Sequence, residues 1–349
     1  MTDKNEASTE EDEIIDQDEL YEHFRLDVEG GQAPTRIDRF LFNRMPNISR
    51  NRIQNACIAG NIIVNGKEVK PSYKVRPHDK IQIVLPHPVR EKELIPQDLP
   101  LNIVYEDDDI VLVNKAAGMV VHPAFGNYSG TLLNGLLYHF KSLPATKGNL
   151  DRPGLVHRID KNTSGLLVIA RSEKALNHLA KEFFDRTIER KYIALVWGDF
   201  KEDEGTITGN VGRNLKDRKI MDVFPNGEHG KHAITHYKVL ERFNYLTLVE
   251  CKLETGRTHQ IRVHMKFAGH PLFNDETYGG NRILKGTTFS KYRQFVDNCF
   301  EILPRHALHA KTLGFTHPGT GKKVFFESEL PENFKMLLDK WRAYTKNSP

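Results

Sequence analysis

Gly154-Leu155-Val156-His157-Arg158-Ile159-Asp160-Lys161-Asn162-Thr163-Ser164-Gly165-Leu166-Leu167-Val168-Ile169-Ala170 is the stretch that decides how this chain reads. Leu166 to Ala170 is a short apolar run rich in branched side chains, which predicts a buried strand. Asn162, Thr163, Ser164 and Gly165 predict the turn that feeds it. The polar segment between the two apolar runs therefore falls at the edge of a sheet, where a rigid scaffold presents side chains from a loop. It carries one carboxylate, Asp160, with Arg158 two residues before it and Lys161 directly after. Positive neighbours hold a carboxylate ionised and ready to act as nucleophile or base. A surface loop with scattered charges has the same spacing, so the stretch alone leaves both readings open.

Working outward, 349 residues suffice for two domains and a sizeable core. No apolar run approaches the length of a membrane span, and no signal peptide opens the chain. Cys57, Cys251 and Cys299 lie far apart and fit neither a disulfide framework nor a CxxC metal site, so a reducing, cytoplasmic setting is expected. The net charge of +4 hides an asymmetry: residues 1–30 carry twelve acidic side chains against Lys4 and Arg25, leaving +14 on the remainder. The acidic, aromatic-poor opening (1–33) is expected to be disordered. The basic remainder suits a polyanionic partner.

Between Pro34 and Pro86, Ile37, Phe40 and Leu41, then Ile53, Ala56, Cys57 and Ile58, predict two short helices. Asn61 to Lys67 predicts a strand entering an Asn-Gly hairpin turn, and Ile81 to Leu85 a closing strand. Arg36, Arg39, Arg44, Arg50 and Arg52 gather on the helical part, where they can contact phosphates. Arg36-Ile37-Asp38-Arg39-Phe40-Leu41, Ser49-Arg50-Asn51-Arg52-Ile53-Gln54 and Val64-Asn65-Gly66-Lys67 resemble the S4 RNA-binding domain. That resemblance implies RNA contacts from Arg36, Arg50, Arg52 and Lys67. Prolines 88, 96 and 100 mark residues 87–100 as a linker.

Beyond it, Ile103 to Tyr105 and Ile110 to Val113 predict strands around an acidic turn, Glu106 to Asp109, which reads as solvated rather than as a calcium loop. Helices follow from Leu132, Leu133, Leu136, Leu137 and Phe140, from Ala175, Leu176, Leu179, Phe183 and Phe184, and near the end from Phe334, Leu337, Leu338 and Trp341. Arg190 to Gly198, Lys231 to Leu240 and Tyr245 to Leu253 predict strands. His259, His264 and His270 offer nitrogen ligands, but without a His-Glu-x-x-His pattern or a CxxC pair no metal is expected.

His-Arg-Ile-Asp-x-x-Thr-Ser-Gly at 157–165 resembles the catalytic loop of the RNA pseudouridine synthases, in the branch acting on large-subunit ribosomal RNA and some transfer RNAs. The family usually has Leu at the place of Ile159, and Pro where this chain has Ala116. Glu254-Thr255-Gly256-Arg257-Thr258-His259-Gln260-Ile261-Arg262, Gly269-His270-Pro271-Leu272, Asp275-Glu276-Thr277-Tyr278-Gly279 and Arg305-His306-Ala307-Leu308-His309-Ala310 extend the resemblance over residues 34–345. It is nearest to the type D large-subunit ribosomal RNA enzymes. It implies an α+β chain: a small N-terminal S4 domain (34–86) joined to a catalytic domain (101–345) with a mixed, mostly antiparallel sheet flanked by helices and loops. It implies isomerisation of uridine in RNA by a monomer needing no cofactor.

The resemblance also assigns roles. Asp160 becomes the catalytic carboxylate, attacking the sugar or opening a glycal route. Arg262 pairs with Asp160, Tyr192 stacks on the uracil, and Leu308 packs against the base. Arg158 fills the space of the flipped nucleotide or touches phosphate, with His157 and Thr163 beside the RNA. A transfer RNA target, or a non-catalytic RNA-binding assembly factor, is the alternative. A glycosidic hydrolase would need a second carboxylate opposite Asp160, for which Glu254 is the nearest candidate.

Overall fold

Two runs of chain build separate cores. The computed structural model describes residues 21–45, 48–85, 94–124, 126–146, 150–217 and 219–347. One unit comprises residues 1–93 with 146–151, the other 94–145 with 152–349. The first contains β1 (Tyr21–Asp27), β2 (Thr35–Arg36), α1 (Ile37–Arg44), α2 (Arg50–Ile58), β3 (Ile62–Val64), β4 (Lys67–Glu68), β5 (Lys74–Val75) and β6 (Lys80–Leu85). Ile37, Phe40 and Leu41 recur at helical spacing on α1 and are buried with Ile53, Cys57, Ile62, Val64 and Ile81. Ser49 caps α2 by accepting the Arg52 N–H at 3.3 Å. Asn65 and Gly66 both take positive φ, 51° and 77°, as a two-residue hairpin between β3 and β4 requires.

The acidic arm expected to be disordered over 1–33 contains a strand, β1. β1 pairs antiparallel with β6, with Leu26 opposite Ile81. Phe24 and Leu26 pack on the core and Val28 is buried. A strand needs only one apolar face, so the alternate charges Arg25 and Asp27 do not oppose pairing, and a charge count averages that alternation away. Residues 1–20 of the arm, and 86–93 of the expected linker, lie outside the described residues. From 94 the linker belongs to the second unit: Asn134 donates its side-chain N–H to the Ile95 carbonyl at 2.8 Å and accepts the Gln97 N–H on its own carbonyl at 3.0 Å.

The second unit contains β7 (Ile103–Glu106), β8 (Ile110–Lys115), α3 (Leu132–His139), β9 (Ser164–Ala170), α4 (Glu173–Asp185), β10 (Glu189–Trp197), β11 (Glu204–Arg213), β12 (Met221–Phe224), β13 (Lys231–Arg242), β14 (Leu246–Leu253), α5 (Gln260–Phe267), α6 (Ser290–Ile302), β15 (Leu308–Thr316), β16 (Lys323–Glu327) and α7 (Glu332–Asn347). One sheet runs β12-β11-β13-β14-β10-β15-β9-β8-β7, with β16 also on β15. Among the described residues its pairings are antiparallel except β9 with β15. β9 is an interior strand, so the Asp160 loop enters the end of a central strand and not the side of an edge strand.

Strand periodicity divides the sheet into faces. Val111, Val113, Leu167, Ile169, Tyr192 and Ala194 join one core, with Leu132 and Leu136 of α3 and Ile261 and Met265 of α5. Their neighbours Ile110, Leu112, Leu166 and Val168 join α4 through Ala175, Leu176 and Leu179. Ile193, Leu195 and Trp197 join Val296 and Cys299 of α6 and Phe334, Leu337 and Trp341 of α7. Burial on both faces explains why β9 reads as a continuous apolar run.

The acidic turn is not simply solvated. Asp107 accepts the Asp109 and Ile110 N–H groups at 2.9 Å, the Tyr105 hydroxyl at 2.8 Å, and meets His317 Nε2 at 2.7 Å. Asp109 accepts the Ser172 hydroxyl at 2.8 Å. Carboxylates placed among several donors become turn-locking acceptors, which sequence spacing alone does not reveal.

Candidate active site

The Thr163-Ser164-Gly165 segment fastens the Asp160 loop to the sheet. Thr163 hydrogen-bonds His306 Nε2 at 2.9 Å, and Ser164 hydrogen-bonds His309 Nδ1 at 2.9 Å, whose Nε2 meets Ser328 at 2.8 Å. Ser164 and Gly165, expected in the turn, belong to β9. Gly165 lies opposite Ala310 in the parallel pairing, with φ +115°, and a Cβ there would sit 2.2 Å from the Ala310 carbonyl oxygen. Only glycine fits that approach. Lys115, buried at the end of β8, gives its ammonium to the carbonyls of Ala116, Met119 and Lys161 at 2.7, 2.8 and 3.0 Å. Burial pushes its pKa down to about 7, and the Arg305 charge adds to this. Arg305 itself donates to the Asn162 carbonyl at 3.2 Å.

The second wall comes from the β14–α5 connection and α5. Gln260 is its buried peg: it accepts the Thr255 hydroxyl at 2.7 Å and the Arg257 N–H at 3.0 Å, and donates to the Ile234 carbonyl at 3.0 Å. His259 precedes the helix with φ 55°. These contacts aim Arg262, itself buried, at the loop. Its Nη1 donates to Asp160 Oδ2 at 3.1 Å, while Nε and Nη2 donate to the two oxygens of Asp275 at 2.7 and 2.8 Å. Burial alone would lower the Arg262 pKa, but the Asp275 hydrogen bonds and charge, with those of Asp160, hold it raised. Tyr278 lies under the guanidinium, 5.0 Å from its ring centroid, and its hydroxyl meets His259 Nδ1 at 2.9 Å.

Asp160 is therefore asymmetric. Oδ2 is held by Arg262, whereas Oδ1 accepts no hydrogen bond among the described residues and faces His259 Nε2 at 3.9 Å. Burial keeps His259 below its ordinary pKa, partly offset by the Asp160 charge. Asp160 is 19% exposed and Arg262 6%, so a reactant can reach the carboxylate and not the cation behind it. Tyr192, Ile159, Leu308 and Ile261 share one core beside this pair. Burial, above all, raises the Tyr192 phenol, and the Asp160 charge adds to it.

The residues expected to meet RNA divide. Arg158 is exposed. His157 is turned inward: its ring stacks on Phe183 at 4.6 Å and its Nε2 accepts the Val168 N–H at 3.1 Å, so it braces β9. Burial pushes its pKa down to about 3. Thr163 is likewise buried. In the first unit, Arg36 and Arg50 both bind the buried Asp38, at 3.1 and 3.0 Å, leaving their side chains half exposed. Arg52 and Lys67 are exposed. Glu254 hydrogen-bonds His236 at 2.7 Å rather than opposing Asp160. The reading of the sequence missed Asp275 as the anchor of Arg262, although Asp275-Glu276-Thr277-Tyr278 was visible, and weighed His259 only as a metal ligand.

A family model described as RNA pseudouridylate synthase matches residues 109–267, and the S4 domain model matches 35–81. An uncharacterised RNA pseudouridine synthase of Chlorobaculum parvum is 47% identical over 320 residues, covering 91% of this chain and 97% of the relative. The chain belongs to the RNA pseudouridine synthases. Another member, ribosomal large subunit pseudouridine synthase D of Zymomonas mobilis, is 41% identical over 312 residues, covering 87% and 92%. Human RNA pseudouridylate synthase domain containing 1 has a similar fold, with a TM-score of 0.52 and 26% identity over 72% of this chain and 96% of that one. As a pseudouridine synthase with an S4 domain, this protein acts on RNA. No helix among the described residues is long and apolar enough to cross a membrane.

Proposed function

We propose that this pseudouridine synthase isomerises uridines of large-subunit ribosomal RNA, with Asp160 as the catalytic carboxylate. The observation that carries the proposal is the buried Arg262 donating to one oxygen of Asp160 at 3.1 Å and leaving the other free. Such a pair fixes the direction of the carboxylate. In the reaction the C1′–N1 bond breaks, the uracil turns, C5 joins C1′ and gives up its proton, and N1 takes one up. Atoms and electrons balance without an oxidant or a reductant. Oδ1 is the oxygen available to attack C1′ or to take the C2′ proton. The target base must leave its stack. Tyr192 then lies under the uracil, Leu308 against its edge, and the exposed Arg158 occupies the gap in the RNA. The large-subunit target rests on relatives such as the Zymomonas mobilis enzyme, whose name gives that substrate.

The test is pseudouridine mapping of ribosomal and transfer RNA from cells lacking the protein, rescued with wild type or Asp160→Asn. Large-subunit sites should vanish and return only with wild type. Rescue by Asp160→Asn would refute the catalytic assignment. Loss confined to transfer RNA would refute the target.

A further inference from the structure

Arg190 at the start of β10 is nine-tenths buried, yet no carboxylate lies within ion-pair distance of it among the described residues. Its Nε is buried without any hydrogen-bond partner. The contact it does make is with the Phe183 ring, 5.3 Å from its guanidinium carbon. A cation–π contact of this kind is small against the cost of withdrawing a cation from water. Burial lowers the Arg257 pKa and the Arg186 charge adds to it, just as burial lowers His157 and the Arg190 charge adds to that. Arg158, Arg186 and Arg257 have no carboxylate partner among the described residues either, and Arg257 spends its Nε on the His232 carbonyl at 3.1 Å.

The site lies beside the Asp160 loop. Phe183, which carries Arg190, also stacks on His157, three residues before Asp160. The opposite side is the loop leading to His259 and Arg262. There Gly256 comes so close that a Cβ would sit 2.8 Å from Arg190 Nη1. Gly256 has an ordinary φ, so what its missing side chain provides is room for the guanidinium packed against it. A buried guanidinium with an unsatisfied N–H and no carboxylate beside it lacks an anion. The fork geometry of arginine matches phosphate in two parallel hydrogen bonds.

We propose that Arg190, with Arg257 next to the glycine packed on it, binds an RNA backbone phosphate flanking the nucleotide at Asp160. The proposal rests on the pseudouridine synthase reading but not on which RNA is the target. The phosphate completes the charge balance that the free protein lacks. Arg190 therefore exchanges stability of the free fold for hold on the substrate.

The experiment measures binding of poly-uridylate to the full chain across a salt series, for wild type, Arg190→Gln and Arg190→Lys, with thermal melting of each without RNA. Losing one phosphate contact should reduce the slope of log affinity against log salt by about 0.7, the value for single strands. Arg190→Gln should bind several-fold more weakly, while its melting temperature without RNA stays level or rises. Arg190→Lys should keep the slope and lose part of the affinity. An unchanged slope and affinity in folded Arg190→Gln overturns the proposal. Should Arg190→Gln not fold, Arg190→Lys decides it, and wild-type affinity there overturns it. Exchanging chloride for inorganic phosphate at matched ionic strength separates the sources. Poly-uridylate displaced far more strongly by phosphate would reassign the site to a free anion. Poly-uridylate reports phosphate contacts whatever the cellular target, so a wrong target in the mapping experiment leaves this result standing.

Discussion

Asp275→Asn removes the charge that holds Arg262 from behind while preserving side-chain shape. Asp275 is 1% exposed and gives one oxygen to Arg262 Nε at 2.7 Å and the other to Nη2 at 2.8 Å. Asparagine keeps one acceptor and turns an NH2 group toward a guanidinium. One charge-assisted hydrogen bond is worth about 1.5–3 kcal/mol. Breaking one side of a buried pair costs about 3–5 kcal/mol, because the remaining charge stays buried. Asp160 offsets part of this, so about 3 kcal/mol is expected, or a fall in melting temperature of roughly 6–12 °C for a unit of this size. The isomerisation rate should fall by about a hundredfold, since a displacement of the order of 1 Å at the reacting groups has that effect. Trp197 and Trp341, the chain's two tryptophans, are both buried in the second unit, so fluorescence during urea unfolding reports on it. Single-turnover conversion of uridine supplies the rate. Arg262→Met combined with Asp275→Asn removes both charges and should recover part of the stability. Stability within about 0.5 kcal/mol of wild type, together with an undiminished rate, would refute the argument that Asp275 positions Arg262.

Gly165→Ala should prevent the second unit from folding, because its Cβ would meet the Ala310 carbonyl oxygen at 2.2 Å with φ at +115°; soluble protein with native tryptophan fluorescence would contradict this. Stability should fall with acid. Burial lowers the pKa of His157 to about 3 and of His264 and His309 to about 4, while the unfolded chain has the ordinary value near 6.5. The unfolded state therefore takes up protons first. The stability is fully present above about pH 6.5 and is lost as pH falls toward the folded values, by up to about 1.4 kcal/mol per pH unit for each histidine. A urea midpoint that stays level between about pH 6.5 and about pH 5 would count against these neutral buried rings.

Much of the fold is legible locally. The apolar run from Leu166 to Ala170 is a strand because both its faces are covered, by α4 on one side and by α3 and α5 on the other. Ile37, Phe40 and Leu41 mark α1, and Phe334, Leu337, Leu338 and Trp341 mark the buried stripe of α7, because a helix repeats every 3.6 residues whatever it packs against. β1 was hidden by its own charges. Its core-facing residues are Phe24 and Leu26, with Val28 just beyond its end, and the acid-rich surroundings outweigh them in any count.

The helices α1, α2, α3, α4 and α7, the strands β8, β9, β10, β13 and β14, the hairpin at Asn65-Gly66 and the polar loop around Asp160 follow from the chain alone, because each is written in neighbouring residues and in backbone periodicity. Tertiary structure alone decided who partners whom. Arg262 reaches Asp160 across 102 positions of chain and divides its donors between Asp160 and Asp275. His157 and Thr163, close to Asp160 in sequence, turn inward because His157 accepts the Val168 N–H of β9 and Thr163 pairs with His306 just before β15. Arg190, an unremarked strand cation in the sequence, becomes a buried charge without a counterion only once Phe183 and Gly256 close around it. Local pattern fixes which backbone forms. Burial and charge balance, which decide what a carboxylate or a guanidinium can do, exist only after distant segments meet.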